Sequence, residues 1–185
     1  MAWPARVAHW RSTERERAEP VACDRLVPDA DQALFRAIDV DAPQALTFRW
    51  LCQLRAAPYS YDKLDNLGRR SPQRLTPGLE ELEAGQRFQT IFRLTEFEPG
   101  RSLTMASRGP VFGTVACTYR AEPVDADRSR IVVKLLISYP RLPHGPLVRL
   151  LGPPGDLLMM RRQLLNLKQL AERTAASRAA EPAGA

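Results

Sequence analysis

Tyr59, Tyr61 and Asp62 form the densest group of side chains in this sequence that could orient a polar ligand or pass a proton. A phenol joins an apolar ring to one polar tip, which suits holding a carbonyl or hydroxyl inside an otherwise apolar space. With a carboxylate beside the two phenols, all three are candidate proton donors or acceptors. The plainer reading of the same residues is that Asp62 caps a short helix and both rings pack. Tyr119 and Tyr139 are open to the same two readings.

Other chemistry is sparse. The only histidines are His9 and His144, so the chain has no H-x-H, H-E-x-x-H or Cys/His ligand pattern, and neither a metal nor another cofactor is expected. The glycine pairs 109/113 and 152/155 have neither P-loop nor dinucleotide spacing and read as turns. Cys23, Cys52 and Cys117 are odd in number and lack C-x-x-C spacing, which points to a reducing cytoplasm. A nucleophilic cysteine needs a base within reach, and Cys52 and Cys117 fall on apolar faces, so packing is their expected role. Met159 and Met160 are polarizable gap fillers that suit an adaptable pocket or a solid core equally.

The elements that must carry these residues follow from periodicity. Ala33 to Val40 has strand character. Asp41, Ala42 and Pro43 then open a helix running to about Leu54, with Ala45, Phe48, Leu51 and Cys52 at helical spacing and Trp50 beside them. Ser60 is placed to cap a second, short helix over Tyr61 to Leu67, and Gly68 to stop it. From Phe88 the period changes to two, as Phe88, Thr90, Phe92 and Leu94 alternate with Gln89, Ile91 and Arg93. Leu103 and Met105, then Val115, Cys117, Tyr119 and Ala121, then Ile131, Val133, Leu135, Ile137 and Tyr139 keep that period. Short turns join these four strands into an antiparallel meander with one apolar face. Pro140 to Gly155 reads as a proline- and glycine-rich loop carrying several leucines. From Asp156, placed as a first-turn acid, Leu157, Met160, Leu164, Leu167 and Ala171 form the apolar stripe of a long C-terminal helix.

That helix is the element long enough to cover the sheet. The chain therefore reads as α+β: a curved antiparallel sheet wrapped around a long C-terminal helix, with two short helices after the first strand. Such a geometry encloses a cavity. Its expected wall is Phe92, Met105, Cys117, Tyr119, Leu135 and Tyr139 from the sheet and Met160 and Leu164 from the helix, with Trp50, Tyr59 and Tyr61 near one end. Gln89, Thr118 and Lys134 are expected outside.

The 185 residues, 44% hydrophobic and 26% charged, suffice for one core and contain no apolar run long enough to span a membrane. Residues 1–31 lack a sustained period and read as a flexible extension, 32–176 as the domain, and 177–185 as a frayed tail. Trp3 and Trp10 in that extension could pack back or serve a protein partner. A net charge of +6 raises nucleic acid or an anionic membrane as partners, but arginines alternate with acids in Arg11–Glu19 and Glu80–Arg87, which disfavours nucleic acid. The N-terminus has no apolar signal core, so a cytoplasmic location is expected.

Three strings, DVDAPQALTFRWLCQL (Asp39–Leu54), YSYDKLDNL (Tyr59–Leu67) and GDLLMMRRQLLNLKQLAE (Gly155–Glu172), resemble the SRPBCC superfamily. This group includes START lipid-binding domains, pollen-allergen-like proteins and polyketide cyclase/dehydrase-like proteins, and the second and third strings look most like a bacterial subgroup. With the meander, the resemblance spans about Ala33 to Arg173. It implies a helix-grip fold and a cavity for a hydrophobic ligand. The superfamily hosts carriers and enzymes on one fold, so three readings stand. The first is binding of a small or medium hydrophobic molecule, lipid-like, sterol-like or polyketide-like. The second is a cyclase, dehydratase or hydrolase acting on a polyketide-like or aromatic substrate, with Tyr59, Tyr61 or Asp62 carrying the proton. The third is a protein-interaction module with a vestigial cavity, using the N-terminal extension or the apolar Leu142–Leu151 loop. No carboxylate or histidine occupies an inward position of the four strands, which favours binding over catalysis.

Overall fold

A computed structural model of the chain describes residues 3–180. In chain order its elements are α1 (Ala5–Ala8), β1 (His9–Trp10), α2 (Glu14–Ala18), α3 (Cys23–Leu26), β2 (Gln32–Val40) and α4 (Gln44–Cys52), which ends in a 3-10 turn at Gln53–Arg55. Then come α5 (Asp62–Asp65), β3 (Arg87–Phe88), β4 (Phe92–Glu98), β5 (Ser102–Gly109), β6 (Gly113–Pro123), β7 (Ser129–Ser138) and α6 (Gly145–Ala180). The strands form one sheet in the order β1-β2-β7-β6-β5-β4-β3, antiparallel throughout except for the parallel pair β1 and β2.

The expected meander is present with the expected parity. Cys117 lies opposite Met105 and Leu135, and Tyr119 opposite Leu103 and Val133, all buried on the inner face. Along that face runs α6, burying Met160, Leu164, Leu167 and Ala171, so the stripe read at helical spacing does seal the sheet. This is an α+β helix-grip arrangement.

Three segments differ from their local patterns. Phe88 to Leu94 is not one strand: Gln89 and Thr90 adopt positive φ of 44° and 69°, and the chain doubles back so that Phe88 pairs with Phe92. Gln89, which strict alternation places outside, is thereby turned toward the interior. Pro140 to Gly155 is helical from Gly145 onward, and Asp156 sits inside α6 rather than in its first turn. Pro153 and Pro154 remove backbone donors and ordinarily break a helix. Here the burial of Pro153 and the packing of Val148 on the core hold the segment in place.

The third difference is the segment before β2, which is not a free extension. It lies against the outer face of the sheet, where Cys23 and Val27 pack on Ala116 and Leu136. Its acids meet strand cations, Glu16 with Arg130 at 2.5 Å, Glu19 with Arg120 at 2.8 Å and Asp24 with Lys134 at 2.6 Å. Trp3 and Trp10 are partly buried against the main core. The physical reason is that β7 carries Val132 and Leu136 on its outer parity as well as Ile131, Val133, Leu135 and Ile137 on its inner one, so it needs cover on both faces. A charge cluster that looks solvated is the complement of basic positions on the outer face. At the other end, α6 continues through residues 177–180 of the expected frayed tail, and 181–185 lie outside the described residues. Among the described residues no helix is long and apolar enough to cross a membrane.

Candidate functional site

Between the inner face of the sheet and the N-terminal half of α6 lies a cavity of about 870 Å³. Cys117, Tyr119, Leu135, Ile137 and Tyr139 line it from the sheet side, and Met159, Met160 and Gln163 from the helix. Ile91, Val111, Phe112, Leu147 and Leu151 also line it while more than half exposed, so the cavity opens there.

Of the expected wall, Phe92, Cys117, Tyr119, Leu135, Tyr139 and Met160 face this space. Met105 and Leu164 have the right parity but are fully buried in the closed part of the core. Trp50 and Tyr59 also belong to the core, edge to face with ring centroids 6.1 Å apart. The indole Nε1 of Trp50 donates to Thr174 Oγ1 at 3.2 Å, which ties α4 to α6. Tyr61 and Asp62 are not part of the lining. The Asp62 carboxylate accepts from the Ser71 backbone N–H at 2.9 Å and from Ser71 Oγ at 2.5 Å, closing the loop after α5. Ser60 does not cap α5; its hydroxyl donates to the Asp65 carboxylate. Tyr59 takes a positive φ of 56°, and its carbonyl accepts from Asn166 Nδ2 at 2.8 Å. These bonds fix the segment whose Pro58, Ser60 and Asp65 do reach the cavity.

Two sets of polar groups serve the interior. In the first, Tyr119 Oη donates to Gln163 Oε1 at 2.8 Å and accepts from Gln89 Nε2 at 3.1 Å, while Gln163 Nε2 donates to the Pro58 carbonyl at 2.6 Å. This chain satisfies its own members, and burial pushes the Tyr119 phenol up, keeping it neutral. The second set centres on Asp156, which lines the cavity from α6. Its Oδ2 accepts from Arg36 Nη2 at 2.7 Å, with the side chains 17% and 1% exposed respectively. Arg36 Nη1 donates to the carbonyls of Ala8 and Phe35 at 3.1 and 2.8 Å, so the N-terminal segment helps hold it. Burial raises the Asp156 carboxyl above the usual range, and the adjacent guanidinium opposes that rise. Tyr139 Oη is buried without a hydrogen-bond partner among the described residues. Asp65 Oδ1, at the end of the cavity near Ser60, is likewise buried without a partner, so Asp156, Tyr139 and Asp65 are lining groups with hydrogen-bonding capacity left to offer a ligand.

Arg36, Gln89, Asp156 and Gln163 are absent from the wall read off the sequence. Arg36 carried a usable signal, because it shares parity with Leu34, Ile38 and Val40 in an otherwise apolar set, and a buried cation demands an acid. Its partner is hidden in the sequence because Asp156 reads as the first-turn acid of a helix that in fact begins at Gly145. Arg36→Met removes the cation from beside that acid and is expected to cost about 3 kcal/mol, a melting decrease of roughly 6 to 12 °C for a chain of this size. Adding Asp156→Leu should restore most of the loss, as judged by urea denaturation. A single variant as stable as the parent would show that Asp156 needs no counter-ion.

No family model and no curated protein matches this sequence. Solved structures do match. A protein from Mesorhizobium loti is 15% identical with a TM-score of 0.50, over 77% of this chain and 98% of that one. A protein from Chromobacterium violaceum is 15% identical with a TM-score of 0.48, over 76% and 96%. The Zhui aromatase/cyclase from Streptomyces sp. R1128 is 16% identical with a TM-score of 0.43, over 83% and 99%. At these identities the likeness is one of fold. The curved sheet and the long terminal helix make that fold a helix-grip fold.

Proposed function

We propose that this chain binds a small or medium apolar molecule in the cavity beneath α6, with one hydrogen-bonding end of the ligand at Asp156 and Tyr139. The observation that carries this reading is a space of about 870 Å³, walled mainly by apolar side chains, with Asp156 and Tyr139 among its few polar groups. Sites of roughly 300 to 1,000 Å³ with few convergent polar groups suit drug-sized ligands, a range that takes in lipid-like, sterol-like and polyketide-like molecules. Apolar burial supplies most of the affinity, at about 25 cal/mol per Å², and a hydroxyl or phenol on the ligand donates to the carboxylate. The three free, buried thiols suit the reducing cytoplasm.

Fatty acids, sterols, flavonoids and polyketide-like aromatics should be screened by thermal shift. A true ligand at about 100 times its dissociation constant adds about 2.7 kcal/mol, a melting increase of roughly 5 to 11 °C. Gly155 lines the cavity, and a Cβ there meets nothing within 4 Å, so Gly155→Phe should fill the space without unfolding the chain. Loss of the ligand shift in that variant, at an unchanged melting temperature, locates binding in the cavity. Hits that survive it place the ligand elsewhere and defeat the reading.

A second reading is favoured by Asp156 itself, since a carboxyl raised by burial at the edge of an apolar space is suited to proton transfer. On that reading the protein is a cyclase, dehydratase or hydrolase. Mass spectrometry of each recovered hit decides: turnover that disappears in Asp156→Asn while binding persists supports the enzyme, and unchanged ligand supports the carrier.

A further inference from the structure

The opening of the cavity carries more apolar surface than a ligand site needs. Ile91, Val111, Phe112, Leu147 and Leu151 are more than half exposed, and Leu142 and Leu150 add side chains at 46% and 49%. A soluble monomer rarely leaves so many large apolar groups together in water. Most stand on two projections, the turn between β5 and β6 and the stretch leading into the first turns of α6. The two are joined, since His144 Nε2 lies 2.9 Å from the Pro110 carbonyl oxygen. Gly113 anchors the turn, at φ 77° and so close to β7 that a Cβ would fall 2.1 Å from the Ser138 carbonyl oxygen.

On the two projections, residues 108–112 and 141–151, charge has one sign, while Asp65 on the cavity lining is held by Ser60 and Asp31 by the Tyr139 backbone N–H. Arg108, Arg141 and Arg149 stand among the apolar groups, and among the described residues none is paired with a carboxylate; the ion pairs lie elsewhere in the molecule. Between Glu98 and Glu122 the sequence has no acid, and between Asp127 and Glu172 the one acid is Asp156, held by Arg36. An apolar surface fringed by unpaired arginines complements the boundary layer of a bilayer with anionic headgroups. Leucine and phenylalanine enter the acyl boundary, and guanidinium groups meet phosphate. A nucleic acid would match the arginines but leave the leucines in water.

We propose that this rim docks on the surface of an anionic bilayer, so that the cavity opens onto the membrane. Docking rests on the rim alone; exchange of an apolar ligand with the bilayer rests also on the cavity reading above. Vesicle binding without added ligand therefore tests the first independently of the second.

The experiment is flotation of the full chain with vesicles of phosphatidylcholine alone or with about 30% phosphatidylglycerol, in low and high salt. The anionic vesicles should bind at least about tenfold more protein, and high salt should remove most of that preference. The double variant Arg108→Gln/Arg149→Gln should lose the preference for anionic lipid. Phe112→Ser/Leu151→Ser should lower binding about tenfold at an unchanged melting temperature, because both side chains already face solvent. Val124→Ser, at the turn between β6 and β7 and so at the opposite end of β6, should bind like the parent. Equal binding to both compositions, or binding untouched by Phe112→Ser/Leu151→Ser, overturns the proposal. Binding to neither composition also overturns it and leaves an acidic protein surface as the occupant.

Discussion

Leu164→Asp is expected to leave no cooperatively folded protein. Leu164 is fully buried at the centre of the α6 stripe, within the cluster that holds the inner face of the sheet. Truncating a leucine in such a place costs about 3 to 5 kcal/mol by itself. The aspartate adds the desolvation of a carboxylate, and the buried guanidinium of Arg36 is already committed to Asp156. The sum rivals the roughly 5 to 15 kcal/mol that a domain has to lose. Circular dichroism during heating and size-exclusion chromatography should show a chain without a sharp transition, or one recovered only in aggregates. Leu165→Asp is the control: its side chain is partly exposed on the next position of the helix, and it should melt within a few degrees of the parent. A soluble Leu164→Asp protein with a cooperative melt would mean that α6 does not seal the sheet.

Deleting residues 1–24 should be nearly as damaging, and here the structure reverses the expectation from sequence. The truncated chain loses β1 from the edge of the sheet and uncovers Ala116, Thr118 and Leu136 on the outer face. Arg120, Arg130 and Lys134 lose the partners Glu19, Glu16 and Asp24, and Arg36 loses the Ala8 carbonyl. A newly exposed long edge strand, β2, also invites aggregation. We expect a loss of more than about 4 kcal/mol, a melting decrease of at least roughly 8 °C, measured by differential scanning calorimetry. A truncated chain that melts with the parent would show that the outer face tolerates water.

These two experiments separate what local pattern determines from what it cannot. A period of two survives any packing arrangement, because adjacent strand residues must point to opposite faces. Hence the parity of Cys117, Tyr119 and Leu135 was legible, and so was the helical stripe through Met160 and Leu164. From these two periods the sequence alone determined the α+β class, the meander, and a terminal helix laid on its apolar face.

The rest depended on distance between elements, which no local pattern carries. Met105 and Cys117 share one face of the sheet, and Met160 and Leu164 one face of α6, yet one member of each pair is sealed in the core and the other lines the cavity. Only the separation of α6 from the sheet at each level decides between them. The docking of residues 3–31 on the outer face was hidden for a related reason. Glu16, Glu19 and Asp24 find their cations about a hundred positions later in the chain, and a charge cluster read by itself looks solvated. Tertiary packing also overrode propensity at Pro153 and Pro154, which carried the helix back past Asp156 and buried that carboxylate against Arg36. Composition and periodicity thus determined which faces must be covered. The folded arrangement decided where the cover leaves a gap, and which polar side chains, Asp156 and Tyr139 among them, face it.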